Sequence, residues 1–446
     1  MMFERKILKF LEDWLKRSSR KPLILRGARQ VGKTCAVRIF AAKHFDSFIE
    51  LNLENPEHER LFREPLSLID FERILEIKFG KKIEGGKTLL FIDEIQNSIP
   101  LMKLLRFFYE ERPNLPVIAA GSLLEVKLQK KNFSFPVGRV EYAYLHPMDY
   151  FEYLQAISET TLLEALQNAV PEKPLPAAVH EIAQKTFNEY LMVGGMPEAV
   201  KVSIETKDFN AVNRVYNSLF TSFIDDVHKY SSDAKVKYLL HVIENAPLFA
   251  GQTITYEHFA NSLYRSREMS EAFEILEKAM LLYRVMGSKE KKLPLLPKKK
   301  KAPKIIFLDT GLVNYRLGLR EKIMGLKNLN EFYQGKIAEQ ITAQHLLARG
   351  ADYHPQLFYW YRDVPGSTAE VDFVIAYKGE ILPIEVKSGS SGRLRSLMEF
   401  MKNTGGKIAL RIYHGQLTEE KINADGVKFR LISVPFYLLP KALELI

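Results

Sequence analysis

The chain has 446 residues, more than one hydrophobic core organises, so roughly two to four domains are expected. Its formal net charge of +10 favours a partner that carries phosphate groups without specifying one. A single cysteine, Cys35, excludes an internal disulfide framework and a zinc site built from several cysteines. No stretch approaches the ~18 consecutive apolar residues of a membrane span, and the charged N-terminus is not that of a signal peptide. We therefore expect a cytoplasmic protein that does not bind membranes.

The first third of the chain alternates between predicted helices and short apolar strands. An amphipathic helix is predicted over residues 3–16. Strand-like runs such as "KPLILRG", "TLLFIDE" and "LPVIAAGS" follow, up to about Leu145. This alternation is typical of a parallel sheet with crossover helices.

The segment "GARQVGKT", Gly27–Thr34, matches the pattern G-x-x-x-x-G-K-[ST] and lies between an apolar strand and a helix. Its glycines allow successive N–H groups to point at phosphate oxygens, and the helix N-terminus favours the negative charge. Lys33 is expected to reach the β- and γ-phosphates, and Thr34 to place its hydroxyl on Mg²⁺. The expected nucleotide-binding residues are Gly27, Ala28, Arg29, Gln30, Val31, Gly32, Lys33 and Thr34.

Further candidate residues follow the next strands. Asp93 and Glu94 end an apolar strand, where Asp93 is expected to bind the nucleotide's Mg²⁺ and Glu94 to orient or deprotonate the attacking water. Ser122 follows the strand "LPVIAAGS" and either contacts the γ-phosphate or caps a helix. Arg139 either stabilises transition-state charge, within the subunit or across an interface, or is a surface arginine.

Residues 253–285 predict two helices joined by a turn, and a lysine-rich hairpin follows them. This order is that of a winged helix, whose second helix enters the major groove in DNA readers. The expected second helix, Ser270–Leu282, carries three glutamates against a single lysine, which suits a DNA backbone poorly. A packing or protein-contact role is therefore favoured for this helix. Lys298–Lys301 either touch a nucleic-acid backbone or form a solvated loop.

The C-terminal stretch "AEVDFVIAYKGEILPIEVKSG" predicts a two-stranded hairpin. Glu385 and Lys387 share a face of one strand, and the short turn brings Asp372 beside them. With Glu339 on an upstream helix, they resemble the pattern of the PD-(D/E)XK nuclease fold, with Val371 at the position where that pattern has proline. In that pattern Asp372 and Glu385 bind Mg²⁺, Lys387 steadies or activates water, and Glu339 supports the metal. The alternative is the solvated side of a half-buried sheet.

Taken together, the phosphate loop, "LLFIDEIQ", "AAGS" and "VGR" resemble the motifs of AAA+ ATPases. More narrowly, the chain resembles bacterial and archaeal ATPases that carry a C-terminal domain of unknown function, through "YLMVGGMPEAV", "IIFLDTGL" and "IEVKSG". The resemblance implies ATP and Mg²⁺ as cofactors. It leaves open the oligomeric state, a homo-oligomer included, and the identity of an arginine finger.

We therefore predict a multidomain α/β protein with four parts. They are a parallel-sheet P-loop NTPase domain of the AAA+ type (residues 1–150), a helical lid or linker (151–232), a winged-helix-like domain (233–320) and an α/β nuclease-like domain (328–446). The first predicted function is an ATPase that couples ATP hydrolysis to the nuclease-like module, with nucleic acid, DNA rather than RNA, as partner. The alternative is a nucleotide-dependent switch or scaffold that binds a protein and whose nuclease-like domain is inactive.

Overall fold

The computed structural model describes residues 2–121, 138–230, 233–318, 335–352, 355–364, 369–387, 394–424 and 426–446. By the contacts between its residues, the chain divides into two compact units. Unit 1 consists of Met1–His146, Lys278–Met280 and Gly350–His354, and unit 2 consists of Pro147–Glu277, Leu281–Arg349 and Pro355–Ile446. Within the described ranges, none of the helices combines the length and the apolar character that crossing a membrane requires.

Unit 1 is built on a parallel sheet. Its strands are β1 (Leu23–Arg26), β2 (Ser47–Asn52), β3 (Thr88–Asp93), β4 (Val117–Gly121) and β5 (Glu141–Tyr144). Its helices are α1 (Ile7–Leu15), α2 (Lys33–His44), α3 (Pro56–Leu61), α4 (Leu68–Phe79) and α5 (Ile99–Glu111). The strands lie in the order β2-β3-β4-β1-β5, and every pair is parallel, which confirms the predicted α/β arrangement.

The order of the strands places the phosphate loop and Glu94 at the carboxyl ends of nearby strands. β1, β3 and β4 are buried along their whole length, as their apolar sequences require. β4 lies between β1 and β3. The carboxyl ends of parallel strands form the edge at which open α/β sheets bind ligands. The phosphate loop follows the end of β1, and Glu94 follows the end of β3.

Unit 2 contains a mixed sheet, whose described strands lie in the order β13-β14-β12-β11-β10-β9-β7-β8-β6. They are β6 (Gln252–Thr253), β7 (Leu282–Ser288), β8 (Lys304–Phe307), β9 (Phe358–Tyr361), β10 (Glu370–Tyr377), β11 (Glu380–Val386), β12 (Ile408–Tyr413), β13 (Thr418–Ala424) and β14 (Val427–Pro435). The helices of this part of the chain are α6 (Tyr150–Ala156), α7 (Thr160–Gln167), α8 (Ala177–Val193), α9 (Pro197–Thr206), α10 (Phe209–Tyr230), α11 (Asp233–Asn245), α12 (Ser266–Lys278), α13 (Thr310–Arg316), α14 (Lys336–Leu347) and α15 (Arg395–Thr404).

One sheet runs through two of the predicted parts of the chain. β7 pairs antiparallel with β8 and parallel with β9, so residues 233–320 and 328–446 contribute to the same sheet. The predicted domain limits within unit 2 stay predictions. β10 and β11 form the predicted hairpin, with Phe373 opposite Ile384. Asp372 and Glu385 each lie one residue beyond this pair, so they end up as neighbours across the two strands.

The structure corrects the bounds of the second helix of the predicted winged helix. The expected helix was Ser270–Leu282, but α12 spans Ser266–Lys278, and Leu282 begins β7. Met280 has a φ of 59°, in the left-handed region. This conformation ends the helical path and turns the chain into the strand.

A buried carboxylate ties a glycine turn to the start of α13. Asp309 accepts hydrogen bonds from the N–H groups of Gly195 at 2.7 Å and Gly311 at 2.9 Å, and from the Tyr216 hydroxyl at 3.2 Å. Gly194 has a φ of 76°, and a Cβ on Gly195 would clash with the neighbouring backbone. The turn in "YLMVGGMPEAV" therefore has a structural role, which is to seat this carboxylate.

Candidate functional site

The phosphate loop lies between β1 and α2. Gln30 and Gly32 have positive φ angles of 62° and 98°, and Gly32 is the residue before α2. A Cβ on Gly27 would clash with the carbonyl of Leu145, so the close approach there requires glycine. The loop thus ends at the N-terminus of a 12-residue helix, whose free N–H groups favour a bound anion.

Lys33 is buried and folds back over the loop. Its Nζ donates hydrogen bonds to the carbonyl oxygens of Gly27 at 3.1 Å and Ala28 at 3.0 Å. Burial lowers the pKa of Lys33, and the nearby carboxylates of Glu94 and Asp93 oppose this shift. An ammonium held in the loop by neutral carbonyls is able to exchange these partners for phosphate oxygens.

Thr34 and Asp93 join the phosphate loop to the end of β3. The Thr34 hydroxyl donates a hydrogen bond of 2.6 Å to Oδ2 of Asp93. Asp93 is buried, and burial raises the pKa of its carboxyl while the bond from Thr34 opposes the rise. A hydroxyl and a carboxylate oxygen are ligands that Mg²⁺ accepts, so these residues fit the ion that the sequence predicts.

Glu94 is held by a residue that the sequence analysis missed. Its backbone has a φ of 53°, and its N–H donates to Oδ1 of Asp93 at 3.1 Å. Its carboxylate accepts a hydrogen bond from the side-chain amide of Gln96. Gly121 at the end of β4 leaves room for this amide, because a Cβ there would clash with it. Burial raises the pKa of Glu94, which makes its carboxylate a stronger base.

Arg5 also supports the loop, and no motif in the sequence pointed to it. Its guanidinium donates to the carbonyls of Val31 at 3.0 Å and His146 at 2.7 Å. Arg29, at the surface of the loop, pairs with Glu54 at 3.0 Å. The two arginines fix the loop from its inner and outer sides.

Arg139 lies away from the phosphate loop of its own chain. It precedes β5, whose first residue Glu141 is level with Leu23 of β1, and its Nε donates to Glu110 at 2.9 Å. The phosphate loop follows the opposite, carboxyl end of β1, and the four steps from Leu23 to Gly27 span about 13 Å at the rise of a β-strand. A role within the subunit and a role across an interface both stay predictions. Ser122 lies outside the described residues.

In unit 2, the predicted C-terminal residues meet at the β10–β11 hairpin. Lys387 donates a hydrogen bond of 2.6 Å to Oε1 of the buried Glu385, and Asp372 accepts one of 2.8 Å from the N–H of Val386. The second oxygen of Glu385 has no hydrogen-bond partner among the described residues.

Glu339 lies close enough to Asp372 for that carboxylate to raise its pKa, and it is also paired with a lysine that the sequence analysis did not single out. Lys304, the first residue of β8, forms an ion pair with Glu339 and lies 3.7 Å from Glu370. Burial lowers the pKa of Lys304, but the three acidic neighbours, Asp372 included, outweigh it and leave the pKa raised. In the parts of the chain that the structure describes, no three His, Cys, Asp or Glu side chains are grouped so as to hold a metal ion. Metal binding by the predicted set stays a prediction.

Glu339, which is partly buried, and Glu385, which is buried, are the weak acids of this cluster. Burial raises the pKa of Glu339 to about 7 and that of Glu385 to about 7, and the charge of Asp372 adds to both shifts. Lys304 and Lys387 oppose the shifts in Glu339 and Glu385 respectively. The cluster therefore combines acidic and basic groups whose charges depend on one another.

Three family profiles match successive parts of the chain. Residues 19–154 match the family described as "AAA domain", residues 184–323 match a domain of unknown function (DUF8612), and residues 334–437 match another domain of unknown function (DUF4143). Unit 1 therefore has both the parallel-sheet fold and the sequence pattern of an AAA-type P-loop domain. The winged-helix and nuclease-like assignments stay predictions.

The chain also has partial similarity to solved structures. RuvB of Thermotoga maritima, a Holliday junction branch migration motor, is 19% identical over 64% of this chain and 90% of that chain, with a TM-score of 0.28. The ORC1 protein of Aeropyrum pernix, solved in complex with DNA, is 13% identical over 73% and 95%, with a TM-score of 0.29. PCH-2 of C. elegans is 13% identical over 50% and 64%, with a TM-score of 0.26. TM-scores this low do not establish a shared overall fold. No curated protein sequence matches the chain.

Proposed function

We propose that unit 1 binds ATP with Mg²⁺ and hydrolyses it. The observation that carries the proposal is the hydrogen bond from Thr34 to Asp93, which joins the phosphate loop to the end of β3. These two residues would hold the ion, which would neutralise charge on the phosphates. Lys33 exchanges its bonds to the loop carbonyls for bonds to the β- and γ-phosphates.

Glu94 is the proposed general base. Its carboxylate orients the attacking water and accepts a proton from it, and the amide of Gln96 holds the carboxylate in place. Ser122 is proposed to contact the γ-phosphate. Arg139 is proposed to act on the nucleotide of a neighbouring copy in a homo-oligomer, since it precedes β5 at the end of the sheet opposite its own phosphate loop and pairs there with Glu110.

Replacing Lys33 with Ala is expected to weaken binding of Mg-ATP about 10- to 100-fold, because a charge-assisted bond to phosphate is lost. Calorimetric titration of the nucleotide measures the change. Lys43→Ala is the matched control, since Lys43 lies at the other end of the same helix and pairs with Glu4 at the surface. Equal ATP affinity in wild type and Lys33→Ala would contradict the assignment of the loop.

Unit 2 is proposed to be a winged-helix and nuclease-like module that binds nucleic acid, DNA rather than RNA. The order α11, β6, α12 and the β7–β8 hairpin supports the winged helix. The segment between β7 and β8 carries seven lysines and one glutamate. Part of this segment and the end of β9 line a cleft of about 720 Å³. A phosphate backbone is the chemistry that fits such a surface.

Replacing Lys298, Lys299 and Lys300 together with Ala is expected to lower the salt dependence of DNA binding. Each lost phosphate contact reduces the slope of log K against log salt by about 1, so the slope should fall by roughly 2 to 3. Fluorescence anisotropy with duplexes of DNA and RNA of equal length measures it. The control replaces Lys402, Lys421 and Lys428, which are exposed lysines elsewhere in unit 2. An equal fall in the control would assign the effect to net charge alone.

The second candidate function is a nucleotide-dependent switch or scaffold that binds a protein. It is favoured by α12, whose exposed face presents Glu271 and Glu274 where a DNA-reading helix needs basic or amide side chains. Absence of nucleic-acid binding at low salt in the same experiment would select this function.

A further inference from the structure

We propose that the ammonium of Lys304 is the resident cation of the C-terminal carboxylate cluster, so that the native cluster takes up no divalent metal ion. The cluster is defined as Glu339, Glu370, Asp372 and Glu385 with the two lysines Lys304 and Lys387. The inference does not rest on ATP hydrolysis by unit 1.

The surroundings of Lys304 are those of a bound cation. Its Nζ pairs with Glu339, lies 3.7 Å from Glu370 and lies 3.5 Å from the carbonyl oxygen of Asp372. The faces of two aromatic rings complete the shell, with Nζ 5.2 Å from the centre of Phe373 and 5.7 Å from that of Tyr359. Carboxylates, a carbonyl and aromatic faces are all groups that attract an ammonium.

Because Lys304 is buried, its ammonium has to remain paired with the carboxylates around it. Lys304 is 2% exposed. An unpaired ammonium in the interior is strongly unfavourable, and so is an unpaired carboxylate, so each requires the other. Lys304 also begins β8 and is fixed by the pairing of that strand with β7. A surface lysine moves away from a site at little cost in free energy. Lys304 would have to leave its carboxylates while still buried, or else disrupt the pairing of β8.

The position of Lys304 is incompatible with the divalent metal ion expected in a nuclease-like site. Mg²⁺ requires close to six oxygen ligands in a regular octahedron. Glu339 and Glu370 are engaged by Lys304, Glu385 is engaged through one oxygen by Lys387, and Asp372 accepts from a backbone N–H. A divalent ion placed among them would also be repelled by two ammonium groups. The native cluster is therefore suited to holding its own strands and helix together, or to gripping a ligand, without a metal.

The same reasoning predicts what happens when the lysine is removed. In Lys304→Met, four carboxylates face only Lys387, and oxygen ligands from α14, β10 and β11 become available. A divalent cation then restores the charge balance. The variant is expected to bind one more equivalent of Mn²⁺ than the wild type, and Mn²⁺ at about 100 times its dissociation constant should raise its melting temperature by roughly 5 °C.

The experiment titrates Mn²⁺ without nucleotide into the full chain and follows free Mn²⁺ by electron paramagnetic resonance. Thermal unfolding is measured in parallel. The proteins are wild type, Lys304→Met, Lys304→Arg, Glu339→Gln and the double variant Lys304→Met with Glu339→Gln. Lys304→Arg keeps the cation and should match the wild type. The double variant removes one charge of each sign and should bind less Mn²⁺ than Lys304→Met. Mn²⁺ held by Asp93 is common to all five proteins and cancels.

Two results would overturn the proposal. One is Mn²⁺ binding by the wild type that is lost in Glu339→Gln, which would show a metal in the native cluster. The other is a folded Lys304→Met that binds no more Mn²⁺ than the wild type. If Lys304→Met does not fold, the test is the comparison of Mn²⁺ binding by wild type and Glu339→Gln. Equal binding supports the proposal, and unequal binding overturns it.

Discussion

Replacing Glu94 with Gln is expected to lower ATP turnover by about 10²- to 10⁴-fold and to leave Mg-ATP binding within a few-fold of the wild type. The substitution keeps the shape of the side chain but removes the carboxylate that accepts a proton. Gln and Glu adopt the left-handed backbone conformation of this position equally well, so the turn should be retained. Steady-state phosphate release gives the turnover, and calorimetry gives the affinity.

The control for this experiment is Glu84→Gln, an exposed glutamate of unit 1 that pairs with Lys87 at the surface. It should turn over ATP like the wild type. A second variant, Gln96→Ala, removes the amide that holds Glu94 and should lower turnover by less than Glu94→Gln does. Normal turnover in Glu94→Gln would remove Glu94 from the mechanism and leave the general base unassigned.

Replacing Asp309 with Ala is expected to lower the free energy of unfolding of unit 2 by about 3–5 kcal/mol, since buried donors left without an acceptor each lose about 1 kcal/mol or more. The carboxylate accepts five hydrogen bonds. The donors of these bonds belong to the glycine turn, α10, α13 and α14. Removing the carboxylate therefore breaks hydrogen bonds in four segments at once. Urea unfolding followed by circular dichroism measures the effect.

Asp363→Ala serves as the reference for this change. Asp363 belongs to the same unit, is exposed, and pairs with Lys289 at 2.8 Å. Surface ion pairs contribute little, so this variant should unfold within about 0.5 kcal/mol of the wild type. Equal free energies of unfolding for the two variants would mean that the donors around Asp309 find other acceptors. Asp309 would then contribute no more to stability than a surface carboxylate.

The sequence predicts most of unit 1 because its determinants are local. A strand, a glycine loop and a helix follow one another within about 20 residues, and the carboxylates Asp93 and Glu94 end an apolar run. The hairpin with Asp372 and Glu385 is predicted for the same reason, since a short turn fixes the pairing of its strands. Such patterns depend on neighbours along the chain, which a single sequence displays.

The features that were missed depend on contacts between distant residues. Lys304 follows a run of exposed lysines, and nothing local distinguishes it from them; only the pairing of β8 brings it beside Glu339, 35 residues further on. Arg5 meets Val31 across 26 residues, and Gln96 depends on the absence of a side chain at Gly121. The predicted bounds of α12 lay about four residues too far along the chain, because the left-handed turn at Met280 contains no glycine that would have indicated the end of the helix.

The continuous sheet in unit 2 sets a limit on how the chain can be divided. A fragment that begins near residue 328 would leave β9 as an unpaired edge, because its partner β7 lies earlier in the sequence. The fragment would also lack Lys304 and so retain Glu339, Glu370 and Asp372 without their counter-ion. The segment from residue 328 onward therefore depends on β7 for its sheet pairing and on β8 for its counter-ion.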